Sequence, residues 1–181
     1  MEKLLTISPI KQITIVLISL GIITSFVGGW SSAIAQNQEI NLIGQQNIWK
    51  PFAAAILSQN NTDLNIIVKT DNNGKLWNRI FLQTQINSTT NTTNKSPILN
   101  LDYGSRSFLG NATFFAEIRG KNSSNILWDD FLNNTNGVLS NSTFTLPNNI
   151  LNQPIEFRLY LATNGTGEHI LHVKKASIMI H

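Results

Sequence analysis

From Gln36 onward, short runs rich in β-branched and aromatic residues alternate with clusters of Asn, Gly, Ser and Thr. No stretch keeps the i, i+3, i+4, i+7 apolar spacing of a buried helix. The pattern predicts an all-β domain over residues 36–181. Candidate strands cover 49–57, 64–70, 78–86, 98–106, 112–119, 142–146, 154–163 and 169–180, while the run 126–131 fits either a strand or a helical turn. Asp71-Asn72-Asn73-Gly74 and Asn164-Gly165-Thr166-Gly167 carry hairpin-type turn chemistry, so each is expected to close a hairpin. The Asn/Thr-rich segment 87–96 reads as an exposed loop.

Successive side chains of a strand point to opposite faces, and that alternation separates a core side from an outer side. Ile80, Leu82, Thr84 and Ile86 oppose Arg79, Phe81, Gln83 and Gln85; Phe114, Ala116 and Ile118 oppose Phe115, Glu117 and Arg119; Phe157, Leu159 and Leu161 oppose Glu156, Arg158 and Tyr160. One side is apolar each time. The other combines Arg, Glu and Gln with Phe and Tyr, which is not the composition of an ordinary solvated sheet.

Residues 1–35 read as a secretory signal. Lys3 and Lys11 precede an apolar run over 13–27, and Ala33-Ile34-Ala35 supplies a cleavage pattern that places the cut before Gln36. The alternative is an uncleaved anchor, the run being near the lower length limit for spanning hydrocarbon. Both readings place the domain outside the cytoplasmic membrane, secreted or at the cell surface, with membrane association only if the signal is retained.

Of 181 residues only 13% are charged, about half the usual share, and the net charge is +3. The longest basic run is Lys174-Lys175, which argues against a nucleic-acid partner. The chain has no cysteine, and this excludes disulfides, thiolate metal sites and a Cys nucleophile. Nine N-x-S/T sites are present, roughly twice what chance would place among this many Asn, Ser and Thr: Asn60, Asn87, Asn91, Asn94, Asn111, Asn122, Asn133, Asn141 and Asn164. Asn94 is the poorest acceptor, because Pro97 follows its Ser96. The abundance of these residue types in turns is an equal explanation of the excess.

The stretches Ile98-Leu-Asn-Leu-Asp-Tyr-Gly-Ser-Arg106 and Gly110-Asn-Ala-Thr-Phe-Phe-Ala-Glu-Ile-Arg119 resemble paired strands of the carbohydrate-binding-module and galactose-binding-domain-like jelly rolls. Pro154-Ile-Glu-Phe-Arg-Leu-Tyr-Leu161, a Gly-rich turn and His172-Val-Lys-Lys-Ala-Ser-Ile178 are similar to the closing strands of the same family, over roughly 49–180. The resemblance implies an antiparallel two-sheet β-sandwich. In such a fold the runs beginning at 78, 112, 126 and 154 share a concave sheet, and those beginning at 64, 98, 142 and 169 form the other, placing Asp102 and Arg106 on the convex side. The outward residues Arg79, Phe81, Gln83, Gln85, Phe115, Glu117, Arg119, Trp128, Glu156, Arg158 and Tyr160 then converge. Such a surface suits a saccharide, whose hydroxyl edges need paired donors and acceptors and whose C–H faces stack on rings. The bland alternative is that Glu117–Arg158 and Glu156–Arg79 are cross-strand ion pairs on a solvated sheet. Family members often hold a structural calcium, but the corresponding place here carries Lys174-Lys175, so no metal or other cofactor is expected; Asp63 and Glu39 remain as oxygen donors elsewhere.

Catalytic constellations are absent from this pattern. His169 and His172 point to opposite faces, and His181 ends the chain. Glu117 and Glu156 each have an Arg close in sequence that would keep the carboxylate ionised, and Asp129-Asp130 reads as a turn or helix start. The expectation is a non-catalytic module binding a glycan or another cell-surface polymer, with a structural or adhesive envelope protein of the same fold as the alternative. Intact mass of the native protein is expected to show loss of 1–35, a full-length mass removing that expectation, and it separates the two explanations of the sequons: added hexose-sized increments mark glycosylation, and their absence leaves turn composition.

Overall fold

The computed structural model describes residues 37–44, 46–70, 75–87, 95–123, 125–164 and 166–181, with the side chains of 75 and 76 left aside. The segment 1–35 read as a signal, the expected turn 71–74 and sequons Asn91 and Asn94 lie outside these. Eleven strands are formed among the described residues: β1 (Gln38–Asn41), β2 (Lys50–Phe52), β3 (Ala55–Gln59), β4 (Leu64–Thr70), β5 (Lys75–Gln85), β6 (Ile98–Phe108), β7 (Asn111–Gly120), β8 (Ile126–Leu132), β9 (Ser140–Thr145), β10 (Pro154–Asn164) and β11 (Gly167–Ile180). They build two sheets, β3-β4-β11-β6-β9 with β1 added on β11, and β2-β5-β10-β7-β8, all pairings being antiparallel.

The expected partition of strands between sheets holds, and the fold is an all-β sandwich. Asp102 and Arg106 lie on β6, in the sheet away from the proposed surface. Two local expectations need correction. β4 and β5, like β10 and β11, belong to different sheets, so neither pair is the expected hairpin. The true hairpins are β3–β4 and β7–β8. The single run expected over 49–57 breaks at Ala53 (φ 60°) into β2 and β3, one in each sheet, with buried Asn78 accepting a hydrogen bond from the Ala54 amide at 2.9 Å. His181 is held, its Nδ1 lying 3.1 Å from Asn37 Oδ1.

The inward residues of both sheets form one continuous buried cluster, including Ile80, Leu82, Phe114, Ile118, Phe157, Leu159 and Leu161 from one sheet and Leu64, Ile66, Leu99, Leu101, Leu171 and Ile178 from the other. Each such side chain removed from water contributes about 1.5–3 kcal/mol. Trp49 closes one side of this core, edge-on to Phe157 at 5.5 Å and donating from its indole nitrogen to Leu42 O at 2.9 Å. At the β6–β7 turn Gly110 adopts φ 78°, and a Cβ there would sit 2.6 Å from Thr166 O. Two neighbouring turns are thereby locked together at one end of the β7–β10 pair.

Among the buried polar side chains of the described residues, His169 stands out. His169 is fully buried, both ring nitrogens lack a partner, and so does the hydroxyl of Ser107 directly opposite on β6. Burial holds the imidazole below its ordinary value. The unfolded chain therefore takes up a proton near pH 6.5 that the folded chain refuses, and stability is lost as pH falls from there toward the folded pKa. We expect His169→Leu to flatten the change in urea midpoint between about pH 7.5 and about pH 5 and to cost no stability at the upper value, since no hydrogen bond is lost. Equal pH dependence in both proteins would contradict this.

Candidate functional site

Strand register lays out the outer face of the β2-β5-β10-β7-β8 sheet as transverse rows. Arg79, Tyr160, Phe115 and Phe131 stand side by side across β5, β10, β7 and β8. In the next row come Phe81, Arg158, Glu117 and Asp129, then Gln83, Glu156, Arg119 and, past an irregularity in the β7–β8 ladder, Ile126. β2 adds Phe52 beside Arg79 and Lys50 beside Phe81. The alternation read along single strands is thus converted by pairing into an aromatic row next to a charged one.

The aromatic row is tightly organised. Phe115 and Tyr160, direct neighbours across the ladder, stack at 4.3 Å with planes 7° apart, while Trp77 meets Phe115 edge-on at 5.9 Å and Phe131 does so at 6.3 Å. Tyr160 is buried at 5% exposure, but Trp77 and Phe131 are 57% and 70% exposed. The inner pair therefore makes a floor and the outer two rings stand into solvent on either side. Large rings left this open on a chain with an ample core mark a contact surface.

Charged side chains beside the floor satisfy one another. Arg119 grips Glu117 with two hydrogen bonds, Nε to Oε1 at 2.5 Å and Nη2 to Oε2 at 3.1 Å. Tyr160 donates its hydroxyl to Glu117 Oε1 at 3.2 Å, and Arg158 reaches the same oxygen at 3.4 Å while donating to the Tyr160 hydroxyl at 2.9 Å. Arg158 also donates to Glu156, which accepts from Gln83 at 3.1 Å. Burial pushes the Glu156 carboxyl up, but the bonds from Gln83 and Arg158 outweigh it and hold it below the usual carboxylate range. The hydrogen bond to Glu117 raises the Arg119 guanidinium above its ordinary value; Arg158 is raised as well, its burial being outweighed by Tyr160 and Glu156.

Arg79 is the exception. Its guanidinium lies 3.8 Å over the Phe52 ring and 5.8 Å from that of Tyr160, yet its Nε is buried without an acceptor, and no ion pair or hydrogen bond reaches it among the described residues. An unsatisfied buried donor costs on the order of 1–3 kcal/mol.

These residues enclose two adjoining hollows. The larger, about 570 Å³, is lined by Trp77, Arg79, Phe115, Glu117, Arg119, Ile126, Asp129, Asp130, Phe131, Arg158 and Tyr160. The smaller, about 400 Å³, shares Trp77, Phe115 and Phe131 and adds Asn111, Thr113, Ala162, Thr163 and Asn164. Both sizes fall in the range of small-ligand sites.

Seven of the eleven sequence-expected residues bear on this arrangement directly: Arg79, Phe115, Glu117, Arg119, Arg158 and Tyr160 line the hollow, and Glu156 braces Arg158. Phe81, Gln83 and Gln85 lie on the same face but outside it. Trp128 is a correction. It sits opposite Ile118, edge-on to Phe144 of the other sheet at 5.3 Å, and packs on the core. In Ile126–Leu132 apolar residues occur at both parities, so alternation alone cannot assign its faces. Asp129-Asp130 is neither turn nor helix start but strand, and it forms the acidic side of the larger hollow. Trp77 and Phe131 escaped the sequence reading; carrying the 79-81-83-85 alternation back by two residues would have found Trp77.

The region near Asp63 and Glu39 does not fit a cation. Asp63 pairs with Lys174 at 3.2 Å, and Glu39 with Lys175 at 2.9 Å. Hydrogen bonds from Lys175 and then Ser177 hold Glu39 below its ordinary value. Among the described residues no group of three His, Asp or Glu converges on a metal-sized space. Sequon residues Asn60, Asn87, Asn111, Asn122, Asn133, Asn141 and Asn164 are all exposed.

No protein-family model matches the chain, and no curated protein does. Among solved structures, a xylan-binding module, CBM15, superposes with a TM-score of 0.52 at 13% identity, covering 80% of this chain and 97% of that one. TmCBM61 in complex with β-1,4-galactotriose gives 0.48 at 5% identity over 77% of this chain and 95% of its own. CBM27-1 of Caldicellulosiruptor saccharolyticus in complex with mannohexaose gives 0.46 at 10% over 79% and 96%. The likeness to CBM15 shows that the chain shares that module's β-sandwich fold.

Because Glu117 anchors two guanidiniums and a phenol in a nearly closed position, Glu117→Gln is expected to destabilise the protein by roughly 1–3 kcal/mol in urea denaturation. Asp129→Asn, on an exposed carboxylate with no ion pair among the described residues, should stay within about 0.5 kcal/mol. Equal effects would show that the network carries no stability.

Proposed function

We propose that this protein is a secreted or cell-surface module that binds a saccharide chain across the outer face of the β2-β5-β10-β7-β8 sheet without cleaving it. The observation that carries this reading is the aromatic row, in which a stacked Phe115–Tyr160 floor is flanked by exposed Trp77 and Phe131 over two joined hollows. Sugar rings present apolar C–H faces that stack on such rings, and their hydroxyls bond to groups at the edges. Asp129, Asp130, Asn111 and Thr113 offer acceptors and amide or hydroxyl groups at those edges. The shared fold of a module described as xylan-binding supports the same reading.

Binding without cleavage is supported by how the two glutamates of the face are used. Glycoside hydrolysis needs one carboxyl to deliver a proton and a second, across a gap, to act as base or nucleophile. Glu156 is held in its ionised form, and both Glu117 oxygens already accept hydrogen bonds from Arg119, Arg158 and Tyr160. Neither is placed to protonate a glycosidic oxygen.

Calorimetric titration with xylan, β-1,4-galactan and mannan oligosaccharides tests the reading. We expect measurable affinity for a β-linked chain, and Trp77→Ala or Phe131→Ala to weaken it about tenfold or more, roughly 1.4 kcal/mol, without shifting the thermal midpoint. Absence of binding to any saccharide, or unaltered affinity in both variants, would overturn it.

A further inference from the structure

The three arginines of the larger hollow are not equivalent. Arg119 and Arg158 are neutralised by Glu117 and Glu156 within the sheet, so they present little net charge to a ligand. Arg79 feels the Glu156 carboxylate at long range but has no hydrogen bond or ion pair among the described residues, and it lines the hollow while Phe52 supports the guanidinium plane. Outward positions of β2 and β5 carry a second cation, Lys50, together with Trp77, Phe81, Gln83 and Gln85, and no acid. The hollow's unpaired acids, Asp129 and Asp130, lie three strand spacings away on β8, roughly 14 Å. That exceeds the screening length of about 8 Å at physiological salt, so they do not cancel the Arg79 field.

Resting on the saccharide reading above, we infer that the ligand carries an acidic group, a uronate carboxylate, and that Arg79 is the residue that receives it. A guanidinium braced on an aromatic ring offers paired N–H donors in the plane a carboxylate needs, which a lysine could not reproduce. The rest of the surface limits how acidic the chain is. Asp129 and Asp130 accept hydroxyls but repel carboxylates, and the smaller hollow is lined by neutral Asn111, Thr113, Thr163 and Asn164. The chain that fits is neutral over most of its length with an occasional uronate, rather than a polymer charged at every unit.

The test compares the full chain against glucuronic-acid-bearing xylan and galactan oligosaccharides, each beside its carboxyl-reduced counterpart, and against polygalacturonate. The expected result is at least tenfold tighter binding of a uronate-bearing oligosaccharide than of its reduced form, weakened by added salt, with polygalacturonate bound less well. In Arg79→Gln the ratio of acidic to reduced affinities should fall to near one, and Arg79→Lys should restore only part of it. Equal affinity for acidic and reduced forms, or a ratio that survives Arg79→Gln in a variant with wild-type thermal midpoint, would overturn the assignment while leaving saccharide binding intact. No binding to any oligosaccharide of either kind would overturn both.

Discussion

Burial of Phe157, Leu159 and Leu161 on one side of β10 commits Glu156, Arg158 and Tyr160 to the other, and β5 and β7 obey the same two-residue rule. The sandwich can hide only one face of each sheet, so these three central strands must expose whatever their alternate residues are. Three strands in antiparallel register then bring residues far apart in the chain into rows. Phe115 and Tyr160 become direct neighbours, as do Glu117 and Arg158. The site is thus a consequence of core packing plus ladder register, with no loop needed to assemble it.

Within that face two kinds of side chain are distinguishable by what they touch. Glu117, Arg119, Arg158, Glu156 and the Tyr160 hydroxyl spend their hydrogen-bonding capacity on each other and hold the floor rigid. Trp77, Phe131, Asp129 and Arg79 face outward, with their rings open or their charged groups without an ion pair among the described residues. A ligand gains most from the second group and loses least by desolvating it, while the first group sets the shape it meets. Of the two cross-strand ion pairs that made a plain solvated sheet a credible alternative, Glu117–Arg158 forms, while Glu156 pairs with Arg158 instead of Arg79; both pairs brace the surface rather than explaining it away.

Much of the architecture was legible in the sequence because alternation was clean where strands were long. Residues 79–85, 114–119 and 156–161 assigned their own faces, and the eight runs assigned to a sheet came out as expected. What escaped was local. The run Ile126–Leu132 has apolar residues at both parities, and an irregularity between Ile118 and Arg119 shifts its register, so Trp128 turned inward and Phe131 outward. Asn- and Gly-rich turns announced chain reversal but not that the next strand joins the opposite sheet, which depends on where distant partners lie. β1 escaped because Gln38–Asn41 holds a single apolar residue, and its pairing is supplied by β11.

Mapping a bound saccharide by backbone amide shifts in solution bears most directly on the claim that this face is the contact surface. Titrated with an oligosaccharide that binds, the protein should show its largest perturbations at Trp77, Arg79, Phe115, Asp129 and Phe131, with the β3-β4-β11-β6-β9 sheet unmoved. Perturbations centred on that opposite sheet, or confined to loops away from the aromatic row, would contradict the account.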